Sequence, residues 1–148
     1  MNMFDTIKAH LATAVPFAGL AGVELTELGP GRATARLVQR PDLCNHLGTF
    51  HAGALFTLGE TASGGAMTGA FAEQILSVRP VAAEARITYA KAARGTLTAT
   101  ATATEAPELL KARLDAEGKV LFDVTVDIAD EQGQLVAGMT VAWHVRKT

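Results

Sequence analysis

The stretch "NHLGTFHAGALFTLGETASGGAM", residues 45–67, decides how this chain is read. It begins polar, with Asn45, Gly48 and His51, and turns small and apolar from Ala52 onward. From Ala52 to Phe71 it predicts the one long helix of the chain. Gly53, Gly59, Gly64, Gly65 and Gly69 all fall inside that helix. Each glycine costs roughly 0.5–1 kcal/mol against alanine in a helix interior. A helix built this way needs compensation from close packing, either under a sheet or against a second helix. One carboxylate, Glu60, sits in the middle of the run, beside Leu55, Phe56, Leu58 and Met67.

On the N-terminal side, Phe4, Ile7, Leu11 and Val15 fall near helical spacing, predicting a short amphipathic helix over 3–14 closed by Pro16. Gly22–Leu28 and Arg32–Gln39 read as short strands, split by the turn Gly29-Pro30-Gly31. "QRPDLCNHLGTFH" reads as a loop. Beyond Pro80 the period changes to two. "AEARITYAKAA" reads as a strand, Arg94–Gly95 as a turn, and "TLTATATATEA" as a strand with its threonines on one face. "PELLKARLDAEG" reads as a connection with a short helical turn. "KVLFDVTVDIAD" and "LVAGMTVAWHVR" complete four strands in two hairpins. A long helix on an antiparallel sheet is an α+β arrangement, expected as a single domain over 1–148.

The bulk numbers narrow the function. The 148 residues are 49% hydrophobic and 19% charged, with net charge −2 and scattered Lys and Arg. No concentrated basic surface is expected, which argues against a nucleic-acid partner. The single cysteine, Cys44, has no partner for an internal disulfide. No Cys/His cluster points to a metal. The N-terminus carries Asp5 and lacks a long apolar core, so neither a signal peptide nor a membrane span is expected, and a cytoplasmic location is the default.

The first turn of the long helix offers free amides, an electropositive place for an oxyanion. Ala52 or Gly53 is the candidate donor. Glu60 lies eight residues further on, about 12 Å along the axis. One carbonyl cannot touch both. A catalytic Glu60 therefore has to work with the helix start of a second chain, lying antiparallel across a two-fold axis. Gly53, Gly64 and Ala66 are expected to let the two helices approach.

Asn45, six residues on to His51, and nine more to Glu60 at the entry of a long helix, followed by antiparallel strands, resemble the hot-dog-fold acyl-CoA thioesterases. The likeness is greatest to the phenylacetate-pathway and 4-hydroxybenzoyl-CoA branches. The specific matches lie within 45–60. The resemblance implies a long central helix wrapped by an antiparallel sheet, a homodimer or a dimer of dimers, and an acyl-CoA substrate with no metal or redox cofactor. It also implies roles for residues. Glu60 would be general base or nucleophile. The Ala52 amide would polarise the thioester carbonyl, Asn45 would position water or the leaving thiol, and His51 would order the loop and helix start. Gly53, Phe50, Ser63, Gly64 and Met67 are the expected substrate contacts. Two positions depart from the family pattern. Ala52 replaces a glycine, and Gly64 stands where related enzymes often carry serine or threonine, with Ser63 one residue off that face.

Each residue also has a plainer reading. Asn45 could be a turn former, His51 a cap, Glu60 a buried structural acid, and the threonine stripe a solvated sheet face. Arg86, Lys91, Arg94, Lys111 and Arg113 are candidates for the CoA phosphates. A non-catalytic acyl-CoA or lipid-binding protein and an acyl-thioester hydratase or dehydratase remain as alternatives to hydrolysis.

Overall fold

A computed structural model describes residues 2–148. Helix α1 (Met3–Ala14) is followed by α2 (Pro16–Ala21), strands β1 (Glu24–Gly29) and β2 (Arg32–Val38), and a 3-10 turn (Pro41–Leu43). The long helix α3 (Ala52–Ala70) comes next, then a second 3-10 segment (Ala72–Ser77) and β3 (Val78–Tyr89). Strand β4 (Thr96–Ala103), helix α4 (Pro107–Glu117), β5 (Lys119–Ala129) and β6 (Leu135–Lys147) complete the chain.

All six strands form one antiparallel sheet in the order β1-β2-β4-β5-β6-β3. The α+β class and the long helix on an antiparallel sheet are as the sequence predicts. The strand pairing differs. β3 and β4 do not form a hairpin, because β3 crosses to the far edge and pairs with β6, with Ile87 opposite Met139. β4 lies between β2 and β5. The sequence carries no signal for this exchange, since a turn at Arg94–Gly95 serves a hairpin or a crossover equally well. Two further differences are local. Pro16 opens α2 at its first turn, where its missing N–H costs nothing. The connection at 107–117 is a full helix, with Leu110 and Leu114 buried.

α3 lies across the inner face of the sheet, over Ala33, Ala35 and Leu37 of β2 and Leu97, Ala99 and Ala101 of β4, all buried. Alanines on the sheet and glycines on the helix make two smooth surfaces that come close together. A methyl group built on Gly65 would stand 2.9 Å from the Ala33 Cβ. On Gly69 it would stand 2.0 Å from the Gly29 carbonyl oxygen. Gly59, Gly65 and Gly69 therefore serve the chain's own sheet. Ala66, expected at a helix–helix contact, is fully buried inside the protomer. The Thr98, Thr100 and Thr102 side chains face solvent, as their alternation predicts.

The two sheet edges are unlike. Lys8 Nζ of α1 donates to the Thr26 carbonyl on β1 at 3.2 Å. β3 is exposed along most of its length. It also carries Pro80, which a strand tolerates at an edge.

Candidate active site

The loop before α3 is tied by its own side chains. Asn45 Nδ2 donates to Thr49 Oγ1 at 2.8 Å and to the Phe50 carbonyl at 3.3 Å. Its Oδ1 accepts from the Leu47 amide at 2.9 Å and the Thr49 amide at 3.2 Å. Both amide protons and the carbonyl oxygen of Asn45 are thus engaged in shaping residues 45–50. Phe50 is buried in the core.

His51 is the N-cap of α3, and its Nδ1 accepts from the Gly53 amide at 2.8 Å. The Ala54 and Leu55 amides donate to the His51 carbonyl. Among the described residues, the Ala52 amide has no protein acceptor, and Ala52 is exposed. Of the two oxyanion donors read from the sequence, Gly53 is thus occupied and Ala52 is open. The Ala52 carbonyl accepts from Tyr89 Oη at 3.2 Å, which ties the helix start to the far end of the edge strand β3. Sequence reasoning missed Tyr89, since 37 residues separate the pair and no local pattern links them.

Glu60 is half-buried, and burial raises its pKa above the ordinary carboxylate range. It stands in the wall of a cavity of about 1190 Å³. α1, β1 and the 70s segment form the other walls, and Pro80 and Trp143 border it as well. Gly64 and Met67 line the same cavity; Ser63 and Phe50 do not. Ser63 is fully buried, where its hydroxyl donates to the Glu60 carbonyl at 2.7 Å and accepts from Trp143 Nε1 at 3.1 Å. Gly64 sits against the Trp143 ring, where a methyl would make ordinary contact at 3.5 Å. Of the aromatic pocket residues considered from sequence, Phe71 is fully buried in the core and Phe56 packs against it. Gln74 Oε1 is buried beside the cavity with no partner among the described residues.

Several of the candidate phosphate ligands are already engaged. Lys91 pairs with Asp130 and Arg113 with Glu105, while Arg94 approaches the Gly48 carbonyl at 3.4 Å. A cation row the sequence did not reveal is made by pairing register. Lys119 stands opposite Arg146, which stands opposite Arg79. The three are exposed neighbours on β5, β6 and β3, and none forms an ion pair among the described residues. No group of residues able to hold a metal occurs among the described residues, and no helix is long and apolar enough to cross a membrane.

The chain is similar in structure to a Pseudomonas aeruginosa protein of unknown function, PA5026, named a probable thioesterase. The two are 24% identical with a TM-score of 0.84, over 97% of this chain and 95% of the other. It is also similar to the Escherichia coli PaaI protein from the phenylacetic acid degradation operon, at 22% identity and TM-score 0.73, over 98% and 94% of the two chains. A hypothetical thioesterase from Streptococcus pneumoniae, solved with coenzyme A, is 21% identical with a TM-score of 0.70, over 90% and 94%. The fold shared with these proteins is the hot-dog fold that the order of elements and residues 45–60 led us to expect. No curated protein matches the chain. The family model of a domain of unknown function, DUF4442, matches residues 5–145, and the chain belongs to that family.

Proposed function

We propose that the protein is an acyl-CoA thioesterase working as a homodimer, with each site shared between two chains. The observation that carries this reading is the layout of β3. At its Tyr89 end lies the open amide of Ala52; at its Pro80 end lies the cavity that holds Glu60. A bare edge strand of 12 residues invites a second strand. Antiparallel pairing of β3 with its own copy about Ala85 sets Glu84 opposite the partner's Arg86, a favourable cross-strand pair. The same pairing brings the Tyr89 end of one chain to the Pro80 end of the other. An Ala52 amide then approaches the partner's Glu60, as the 12 Å separation along one helix demands.

In this site the Ala52 amide receives the developing oxyanion, and Glu60 acts as base toward water or attacks the carbonyl itself. His51 and Asn45 are positioning residues. One caps the helix and the other fixes the loop, so that the Ala52 amide points outward. The CoA phosphates lie toward the Arg79, Arg146 and Lys119 row. The coenzyme A bound to the pneumococcal neighbour supports the substrate class.

Ala52 is the first helical residue, where proline is tolerated and only the N–H is lost. Ala52→Pro is expected to fold, to dimerise, and to lower kcat by about a hundredfold or more, the usual cost of one oxyanion donor. Mixing Ala52→Pro chains with Glu60→Ala chains restores activity, because each mixed dimer holds one intact site. No release of thiol from any acyl-CoA by the parent protein overturns the reading. Product analysis with an enoyl-CoA separates hydrolysis from hydration.

A further inference from the structure

The apolar side of α1 is only partly covered by the rest of the protein. Asn2 caps the helix, with its Oδ1 accepting from the Asp5 amide at 2.9 Å, and Lys8 fastens it to the β1 edge. It rests on β1, α2 and the 70s segment. Yet none of its residues is buried. Ile7, Leu11 and Val15 face the cavity, and α3 forms the opposite wall. An amphipathic helix ordinarily buries that stripe. Here α1 stands off as a roof over apolar space.

We infer that this space is the acyl compartment, and that its occupant is a long unbranched aliphatic acyl chain lying between α1 and α3. The inference rests on the thioesterase reading and adds the substrate class. The compartment is elongated. Its α3 wall runs from Glu60 through Gly64 and Gly65 to Thr68, about 12 Å along the axis, and it continues to Ile75. At about 1190 Å³ it exceeds what a small acyl group can fill. Gly64 leaves that wall low beside the Trp143 ring, which a Cβ would meet only at 3.5 Å. Pro80 borders the same cavity, so in the proposed dimer the acyl chain enters from the end of β3 where the partner's helix start arrives. A second polypeptide segment in this space would carry unpaired backbone amides into apolar surroundings. A run of methylenes carries none.

The test reads binding as well as turnover. Trp143, the only tryptophan of the chain, borders the cavity and reports occupancy by its emission. The probes are the butyl, octyl and dodecyl thioethers of CoA, which cannot be hydrolysed. Affinity is expected to rise about three- to fourfold per methylene from butyl to octyl, with a shift in Trp143 emission. The double variant Ile7→Phe/Leu11→Phe fills the roof at partly exposed positions. It should cut the advantage of dodecanoyl-CoA over butanoyl-CoA in kcat/KM by at least about tenfold. Leu11→Asp, which puts a charge in the same place, should do the same if the double variant folds poorly. Equal affinity for butyl and dodecyl probes overturns the inference, as does a chain-length advantage that survives both substitutions. Dodecyl binding without any turnover of acyl-CoA leaves the compartment standing and rejects hydrolysis. Turnover without dependence on chain length does the reverse.

Discussion

Between Ala52 and Thr61, α3 leaves Ala52 and Gly53 exposed and Phe56, Thr57, Glu60 and Thr61 half-buried. Between Ala62 and Ala70, every residue except Gly64 is buried. The second half is almost wholly small residues, while the first sets Ala52, Gly53, Ala54 and Gly59 among Leu55, Phe56 and Leu58. In the first, smallness leaves the helix start and the Glu60 face open. In the second, it lets the sheet close over the helix, down to contact between Gly69 and the backbone of the β1–β2 turn. One helix thus combines a rigid half that fixes its position with an open half to which the proposed chemistry is assigned. A site held this way has little freedom to drift, which favours an oriented donor and base.

The sharpest way to break the rigid half is Gly69→Ala. The clash is with a carbonyl oxygen, and no rotamer change relieves it. Moving it means shifting the turn at Pro30–Gly31, where Gly31 already holds a φ of +68°. We expect a loss of about 3 kcal/mol, the upper range for overpacking, measured by denaturant unfolding. Gly64→Ala is the control in the same helix, since its methyl would meet the Trp143 ring only at ordinary contact distance. Equal effects of the two would remove the distinction between the halves.

Ser63 marks the boundary. It accepts the Trp143 indole N–H in a fully buried position. Ser63→Ala leaves that donor without a partner, at a cost of about 1–3 kcal/mol. Urea unfolding measures the loss, and Trp143 emission measures the change at the indole. A Ser63 that assisted the reaction directly would lose turnover with no change in stability; the buried hydrogen bonds call for the opposite pattern.

How much of this was legible in the sequence follows from where each signal lies. α3, its glycines and the periodicities of β4, β5 and β6 are local patterns, and they stand where the spacing put them, whereas β3 (Val78–Tyr89) begins five residues before the strand expected from Ala83 and shows no alternation of burial. The place of β3 is not local. Residues 78–89 pair with 135–147 across the chain. The site divides in the same way. The open amide at Ala52 follows from helix geometry, while the closure of the Gly53 amide depends on the rotamer of His51. The resemblance makes Ser63 an expected substrate contact, as the serine one residue off the face where related enzymes carry serine or threonine. Its hydroxyl turns inward to Trp143, 80 residues away. The roof formed by α1 was hidden for a related reason. Amphipathic spacing tells that a helix has an apolar side, and does not tell whether protein or ligand will cover it.

The smallest effect tests the open half through Glu60 itself. Its carboxyl is desolvated against the cavity, so the charged form is disfavoured in the folded chain and the pKa is raised above 4.5. Below the unfolded value both states hold the proton, and the group's contribution is at its most favourable. As pH rises from 4.5 through the folded pKa, the unfolded chain releases its proton first, and stability falls. Glu60→Gln has no charge to expose. Its Tm should match that of the parent in acid and exceed it by a small margin at neutral pH, as thermal melts across that range will read. In the proposed mechanism only ionised Glu60 can accept a proton or attack, so the same desolvation should place the acid limb of kcat above the ordinary carboxylate range. A parent protein that gains stability on passing from acid to neutral pH relative to Glu60→Gln would mean that a cation pairs with this carboxylate in the assembled protein. Glu60 would then be a structural acid, and the open half of the helix would lose its chemical role.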